Sequence, residues 1–296
     1  MIYRPEQIVW EITFRCNVDC LHCGSDCTTN TRENELTTSE ALAVIEDLAE
    51  LGCKRITLSG GEPFVRKDWA ILAHRIKMLG MEVAFISNGY LITPKIVEML
   101  KTIGPVTTGI SLDGGTPEIH DYIRGKDGCF QKALEAMDML LDAGLYTSVV
   151  SSIQRINFFD LEQIKRILLL MGVDAWQIQV ATPQGRMKPE MAVTERQFYE
   201  ISNFIIRNNR RYKKFYISGA DCFGYYGQSD HLLHPTGWHG CHAGMRVLGI
   251  ESNGNVKGCL SLPGDKFVEG NLKETSLKDL WLDREKFRFN RRFEKE

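Results

Sequence analysis

No run of apolar residues in this chain reaches the ~20 positions a helix needs to cross a bilayer. The opening residues, Met-Ile-Tyr-Arg-Pro-Glu-Gln, lack the charged-then-apolar pattern of a secretory signal. Neither charge is in excess. The 36 Lys and Arg stand against 38 Asp and Glu, for a net charge of −2 with His neutral. The pI of about 6.4 leaves no basic footprint for nucleic acid. There is no internal repeat and no low-complexity linker. These absences predict a cytoplasmic protein with no membrane or nucleic-acid partner. Nine cysteines without an export signal then argue against a disulfide framework and for metal ligation, catalysis or buried thiols.

What is present is an ordinary globular composition, 43% hydrophobic and 25% charged over 296 residues, enough for an α/β barrel and a small appended domain. Strands are expected at 8–14, 55–59, 83–87, 107–112, 146–153 and 175–181, with helices at 38–51, 67–79, 93–102, 129–144, 159–171 and 194–210. Thr37 or Thr38 suits an N-cap with Glu40 reaching back. Leu42, Ile45, Leu48 and Ala49 recur at helical spacing. Gly52, Gly80, Gly104, Gly144 and Gly172 each follow a helix and fit its C-cap. Six strand–helix units in series predict a parallel sheet curled into a partial (β/α)6 barrel, with its site at the C-terminal strand ends. The rhythm changes near residue 212, so the expected domains are a barrel over 1–212 and a smaller region over 213–296. In the second, Asn253-Gly254 between two β-prone arms predicts a hairpin, preceded by Cys241 and ended by Cys259.

The chemistry gathers at the expected strand ends. Cys16, Cys20 and Cys23 follow the first strand with C-x3-C-x2-C spacing. Three thiolates on one loop can hold three irons of a [4Fe–4S] cube and leave the fourth open to a small molecule. The same spacing admits a zinc ion completed by His22 or Cys27. Gly60-Gly61-Glu62-Pro63 ends the second strand, Ser87-Asn88 the third and Ser111-Leu112-Asp113 the fourth.

The cysteine spacing followed by Gly60-Gly61-Glu62-Pro63 resembles the radical S-adenosylmethionine (radical SAM) superfamily. The resemblance implies that Cys16, Cys20 and Cys23 hold the cluster, and that an electron passed to the SAM sulfonium yields a 5′-deoxyadenosyl radical that takes hydrogen from a substrate. It implies that Gly60, Gly61, Glu62 and Pro63 grip the methionyl ammonium, and that Ser87 and Asn88 approach the ribose and methionyl parts. Ser111 would touch the ligand, Asp113 orient its loop and Arg124 pair with the SAM carboxylate, although the residues alone equally allow Arg124 a surface ion pair with Asp121 or Asp127. Ser151 and Ser152 would reach the sugar, while Gln177 and Gln179 flank the substrate entrance. His22 stands where the family carries an aromatic residue, and packing beside the cluster is its expected work. An open iron is oxygen-sensitive, which predicts a host living with little or no oxygen.

Cys241 to Cys259 reads C-x12-G-x4-C and resembles the opening of a SPASM/twitch extension, implying that these two thiolates bind an auxiliary iron–sulfur cluster. No cysteine follows Cys259, so the extension is expected to be shortened, or completed by His239, His242 or Cys222. Cys222, in Asp-Cys-Phe-Gly-Tyr-Tyr, is expected at the barrel mouth as a hydrogen-atom donor, a ligand or a small buried residue. Cys53 and Cys129 read as ordinary. SPASM relatives favour peptide or protein modification by thioether formation, epimerisation or oxidation. Tetrapyrrole side-chain modification is the alternative, and a non-catalytic metal-binding scaffold is the third reading. Cys16 lies too near the start for a preceding leader-binding module, so a peptide would need a separate carrier or direct recognition. A flavodoxin or ferredoxin is the implied electron donor.

Overall fold

A computed structural model describes residues 3–29, 34–209, 211–224, 227–234 and 240–291. The chain runs β1 (Gln7–Glu11), α1 (Thr38–Glu50), β2 (Arg55–Ser59), α2 (Trp69–Met78), β3 (Glu82–Ser87), α3 (Pro94–Ile103), β4 (Thr107–Ser111), α4 (Pro117–Arg124), α5 (Cys129–Asp142), β5 (Thr147–Ile153), α6 (Leu161–Met171), β6 (Ala175–Val180), α7 (Glu195–Asn208) and β7 (Tyr216–Gly219). A short α8 (Asp230–Leu233) leads towards β8 (Val247–Ile250), β9 (Asn255–Lys257), β10 (Gly270–Asn271) and α9 (Leu277–Leu282). All ten strands form one sheet in the order β10-β9-β8-β1-β2-β3-β4-β5-β6-β7. Strands β1 to β7 are parallel, as a run of strand–helix crossovers requires, and β8 lies parallel to β1 on its other edge.

Alternation along the strands separates the two faces of the sheet. Ile8, Trp10, Ile56, Leu58, Val83, Phe85, Val149, Trp176 and Ile178 share one buried core with Val44, Ile45, Leu48, Leu72 and Ile76 of the helices. Their neighbours Thr57, Ser59, Ser148, Val150, Gln177 and Gln179 are only partly buried and form the opposite, concave and mostly polar face. Thr37 caps α1 in a reciprocal capping box with Glu40. The buried stripe of α1 is Ala41, Val44, Ile45 and Leu48, rotated slightly from the expected one, so Leu42 and Ala49 pack at its margin.

Two elements go beyond the six expected units. The strand β7 adds a seventh parallel strand past residue 212, so the sheet runs through the expected boundary without a break. The helix α4 occupies the segment between Asp113 and Arg124, with Thr116 as N-cap, Pro117 in its first turn and Gly125 as a left-handed C-cap. The hairpin forms as expected: β8 and β9 pair antiparallel, with Ile250 opposite Val256. A buried Lys257–Glu251 ion pair of 2.7 Å braces it. The helix α9 docks on α1, where the Leu277 N–H donates to the Asp47 carboxylate (2.9 Å). Trp281 reaches the start of the chain, donating to the Tyr3 carbonyl (3.1 Å). No helix among the described residues is long and apolar enough to cross a membrane.

Past β1 and β2 the two segments stay in contact. The Gly61 and Glu62 N–H groups donate to the Thr13 and Arg15 carbonyls, both at 2.8 Å. A Cβ on Gly60 would overlap the Thr13 carbonyl, and one on Gly61 the Arg15 carbonyl. The close approach that demands glycine here is therefore to the segment leading into the cysteine loop, not only to a ligand. Gly61→Ala is expected to cost about 1–3 kcal/mol through this overlap. Urea unfolding of the metal-free chain reads it directly, and an unchanged midpoint would show that residues 13–15 can yield.

Candidate functional site

The cysteine loop is closed at its neck. Arg15 bridges Thr28, and the Cys16 N–H donates to the Thr28 carbonyl (2.7 Å). Inside, Cys23 N–H donates to the Cys20 carbonyl (3.3 Å) and Asp26 N–H to the Cys23 carbonyl (3.2 Å), winding the loop into tight turns. Cys16 and Cys20 are buried, Cys23 is half-buried, and all three are free thiols. Each sulfur faces one polar donor: Asn88 Nδ2 at 3.9 Å from Cys16, Arg124 Nη1 at 3.7 Å from Cys20, and the Cys27 N–H at 3.3 Å from Cys23.

Burial pushes the Cys16 thiol up to about 12 and raises Cys20 as well, whereas hydrogen bonding from Cys27 lowers Cys23. Such a loop favours thiols when bare and thiolates when a metal displaces their protons. Three convergent sulfurs with three aimed donors fit the ligand set of an iron–sulfur cluster, where hydrogen bonds to sulfur tune the metal. Cys27 is buried against Cys16 and Cys20. Cys129, read as ordinary, opens α5 inside the same cluster of thiols.

Glu62 is fully buried beneath this loop. Its carboxylate accepts from Ser87 Oγ (2.9 and 3.1 Å), the Asn88 N–H (2.8 Å) and the Phe64 N–H (3.3 Å). Pro63 then opens a short 3-10 turn that Glu62 caps. The expected grip on an ammonium is thus accompanied by a different task, pinning the end of β3. Ser87 is spent on Glu62. Asn88 faces Cys16 and also donates to Asn17 Oδ1 (2.8 Å), so it holds the cysteine loop.

Asp113, also fully buried, pairs with Arg124 at 2.6 Å and accepts the Ser152 N–H at 2.8 Å. Burial would raise its pKa, but the Arg124 charge holds it below the usual carboxylate range. His22 Nε2 stands 3.5 Å from the same carboxylate, and burial lowers the His22 pKa to about 4, leaving it neutral. His120 Nδ1 accepts the Asp113 N–H (3.0 Å). Arg124 is therefore neither a surface residue nor paired with Asp121 or Asp127. Its Nε is buried without a partner, an orphan donor that fits a ligand carboxylate.

Ser152 Oγ accepts from Gln179 Nε2 at 2.6 Å across β5 and β6. Ser151 is turned into the wall, where it bonds the Leu112 carbonyl and accepts from Trp176 Nε1 (2.9 Å), so it does not reach a sugar. Ser111 is buried at the end of β4, while Gln177 is half-buried. Cys222 is exposed, and its sulfur accepts the N–H of Val180, the last residue of β6 (3.4 Å).

Cys241 is exposed and Cys259 half-buried. Their flanking segments meet, since a Cβ on Gly258 would stand 3.1 Å from the Gly244 nitrogen. Two thiolates do not make a four-cysteine cluster site. His239 lies outside the described residues, and His242 uses its carbonyl to close a tight turn on Val247 (3.0 Å). Sequence reasoning passed over Gly185 and Arg186, which follow β6 and lie against the cysteine loop. Their signal was position: a Gly-Arg pair just beyond a strand end, at the level where the other site residues gather.

Residues 10–172 match the Radical SAM superfamily, and residues 241–296 match SPASM, an iron–sulfur cluster-binding domain. The AdoMet-dependent heme synthase of Methanosarcina barkeri (strain Fusaro / DSM 804) is 28% identical over 303 residues, covering 97% of this chain and 85% of that protein. The mycofactocin maturase MftC of Mycobacterium tuberculosis (strain ATCC 25618 / H37Rv) is 30% identical over 293 residues, covering 96% and 72%. The crystal structure of Streptococcus suis SuiB bound to S-adenosylmethionine superposes with a TM-score of 0.77 at 15% identity, covering 98% of this chain and 68% of that one. Native anSMEcpe with bound AdoMet and Cp18Cys peptide gives 0.70 at 15% identity, covering 94% and 80%. At such identity the two structures speak for the fold.

Burial raises the Glu62 pKa from 4.5 to about 7. Between those values the folded chain keeps a proton that the unfolded chain has released, so stability falls as pH rises through that window. Glu62→Gln cannot ionise and is expected to flatten this fall by on the order of 2–3 kcal/mol. Urea unfolding of the metal-free protein at acidic and mildly alkaline pH checks it. Equal slopes for the two proteins would mean that the carboxylate stays charged throughout.

Proposed function

Because the chain belongs to the radical SAM superfamily and carries a SPASM region, its cofactors being a [4Fe–4S] cluster and S-adenosylmethionine, we propose that it is a maturase acting on a peptide or protein substrate. The carrying observation is the loop of three buried or half-buried cysteines, each sulfur facing its own donor, above the ends of β1 and β2. When bound, the cofactor pair supplies a 5′-deoxyadenosyl radical able to take hydrogen from an unactivated carbon.

The protein's part is to hold and to exclude. Cys16, Cys20 and Cys23 would ligate the cluster. Arg124 would offer its orphan Nε to the SAM carboxylate while Asp113 keeps the guanidinium in place. Gly60, Gly61 and Pro63 form the turn beneath the methionyl end, and Ser111, Ser152 and Gln179 offer hydroxyl and amide groups to the rest. Cys222, exposed beyond β6, would return a hydrogen atom to a substrate radical. Flavodoxin or ferredoxin is the electron donor in this reading. Cys241 and Cys259 would supply two auxiliary ligands, and no step depends on them.

A peptide suits the concave face. Ser59, Ser148, Gln177 and Gln179 present neutral hydroxyls and amides, which match peptide groups. Two cations at the strand ends are already matched, Arg124 by Asp113 (2.6 Å) and Arg66 by Asp68 (2.7 Å). A second reading, tetrapyrrole modification, is favoured by the relative named AdoMet-dependent heme synthase, of which this chain covers 85%.

Anaerobically reconstituted protein should release 5′-deoxyadenosine from SAM under a low-potential reductant. Cys16→Ala is expected to lower that rate at least ~100-fold together with bound iron. Rates in the presence of a small cysteine-containing peptide or a carboxylated tetrapyrrole then separate the two readings: stimulation by the tetrapyrrole alone would overturn the maturase assignment. Properly loaded protein that never cleaves SAM would favour a metal-binding scaffold.

A further inference from the structure

The cysteine loop is strapped from outside by the end of α4, where the Asp19 and Leu21 N–H groups donate to the Arg124 and Ile123 carbonyls (3.1 and 2.9 Å), and by one residue much further along the sequence. Arg186 follows β6, on the side of the barrel where Gln177, Gln179 and Cys222 lie. Its N–H donates to the Cys23 carbonyl (3.1 Å), its Nε to the Cys20 carbonyl (3.0 Å) and its Nη1 to the Cys27 carbonyl (2.8 Å). The same guanidinium pairs with Asp19 at 2.7 Å and Asp26 at 3.4 Å, the acidic residues beside Cys20 and Cys27. Gly185 makes this approach possible. Its φ is +58°, and a Cβ there would overlap the Cys23 and Gly24 carbonyls.

A single residue thus bonds three successive turns of the loop, its backbone N–H taking the Cys23 carbonyl and its guanidinium those of Cys20 and Cys27. A loop of this kind has no secondary structure to fix the spacing of its sulfurs. External hydrogen bonds to its backbone perform that work, as supporting groups do around metal sites generally. A planar fork bonded to two carbonyls is a task for arginine, since the lysine ammonium is a point charge that cannot reproduce it.

We infer that Arg186 is a positioning residue for the iron–sulfur cluster, its guanidinium fixing the loop at the Cys20 and Cys27 carbonyls, on either side of Cys23, and so tying the ligating cysteines to the end of β6. This rests on the radical SAM reading of the loop and adds to it a residue outside the matched barrel segment 10–172.

The test uses the full chain as wild type, Arg186→Gln and Arg186→Lys, each reconstituted anaerobically with iron and sulfide. Three quantities are read: the rate of iron release to a chelator, the EPR spectrum of the reduced protein with and without SAM, and the melting temperature of the metal-free chain. Arg186→Gln is expected to release iron about 10–100-fold faster. Its EPR signal should be changed while the metal-free melting temperature stays close to wild type. Arg186→Lys, which keeps the charge, should recover only a minor part of the retention. Wild-type release rates and spectra in both variants would overturn the inference, as would full rescue by lysine, which would reduce the role to charge. If Arg186→Gln does not fold, the lysine variant decides by the same release rate. Failure of the wild type itself to assemble a cubane cluster would instead defeat the radical SAM reading.

Discussion

One carboxylate without access to water holds this site together. Asp113 leaves the end of β4 and binds the Ser152 N–H near the end of β5, the guanidinium at the end of α4 and, more loosely, the imidazole between Cys20 and Cys23. Arg124, so fixed, aims a second nitrogen at the Cys20 sulfur. A buried ion pair of this kind adds little stability over an apolar replacement, but loss of one partner leaves an uncompensated charge and costs about 3–5 kcal/mol. What the pair confers is position: strand ends that arrive from different parts of the sequence share one electrostatic anchor. Glu62 does the same on the other side, gathering Ser87, Asn88 and Phe64 around a carboxyl that burial has made a weaker acid.

The glycine pair before Glu62 belongs to this framework. Its missing side chains let residues 13–15 lie directly against the turn after β2. The Gly-Gly-Glu-Pro turn and the cysteine loop are therefore two faces of one backbone contact. A side chain inserted there would disturb both before it touched any cofactor.

Much of this was legible from the chain alone. The strands β2 to β6 fall within a residue or so of their expected bounds, because each is a short β-prone run closed by polar or glycine residues. The cysteine loop, the Gly-Gly-Glu-Pro turn and the Asn-Gly hairpin were readable from local spacing. What local pattern does not carry is partnership over long separations. Arg124 looked like a ligand contact or a surface ion-pair residue, yet Asp113 is its mate. Ser151 looked available, yet Trp176 had claimed it. The helix α4 was hidden because two glycines precede it and a proline opens it, and β7 because it is short and follows a basic stretch. Arg186 acts on residues more than 150 positions away, and only the folded chain brings it there.

The strand that launches the cysteine loop has neighbours of very different age. Its β2 side is filled early in synthesis, but its other edge is closed by β8, near the opposite end of the chain. Until that late segment emerges from the ribosome, β1 is an open edge with unpaired N–H and C=O groups. Iron insertion thus meets a finished scaffold only when the carboxy-terminal region has been made, and the SPASM segment serves the first cluster as a closing stave of its barrel, whatever it binds itself.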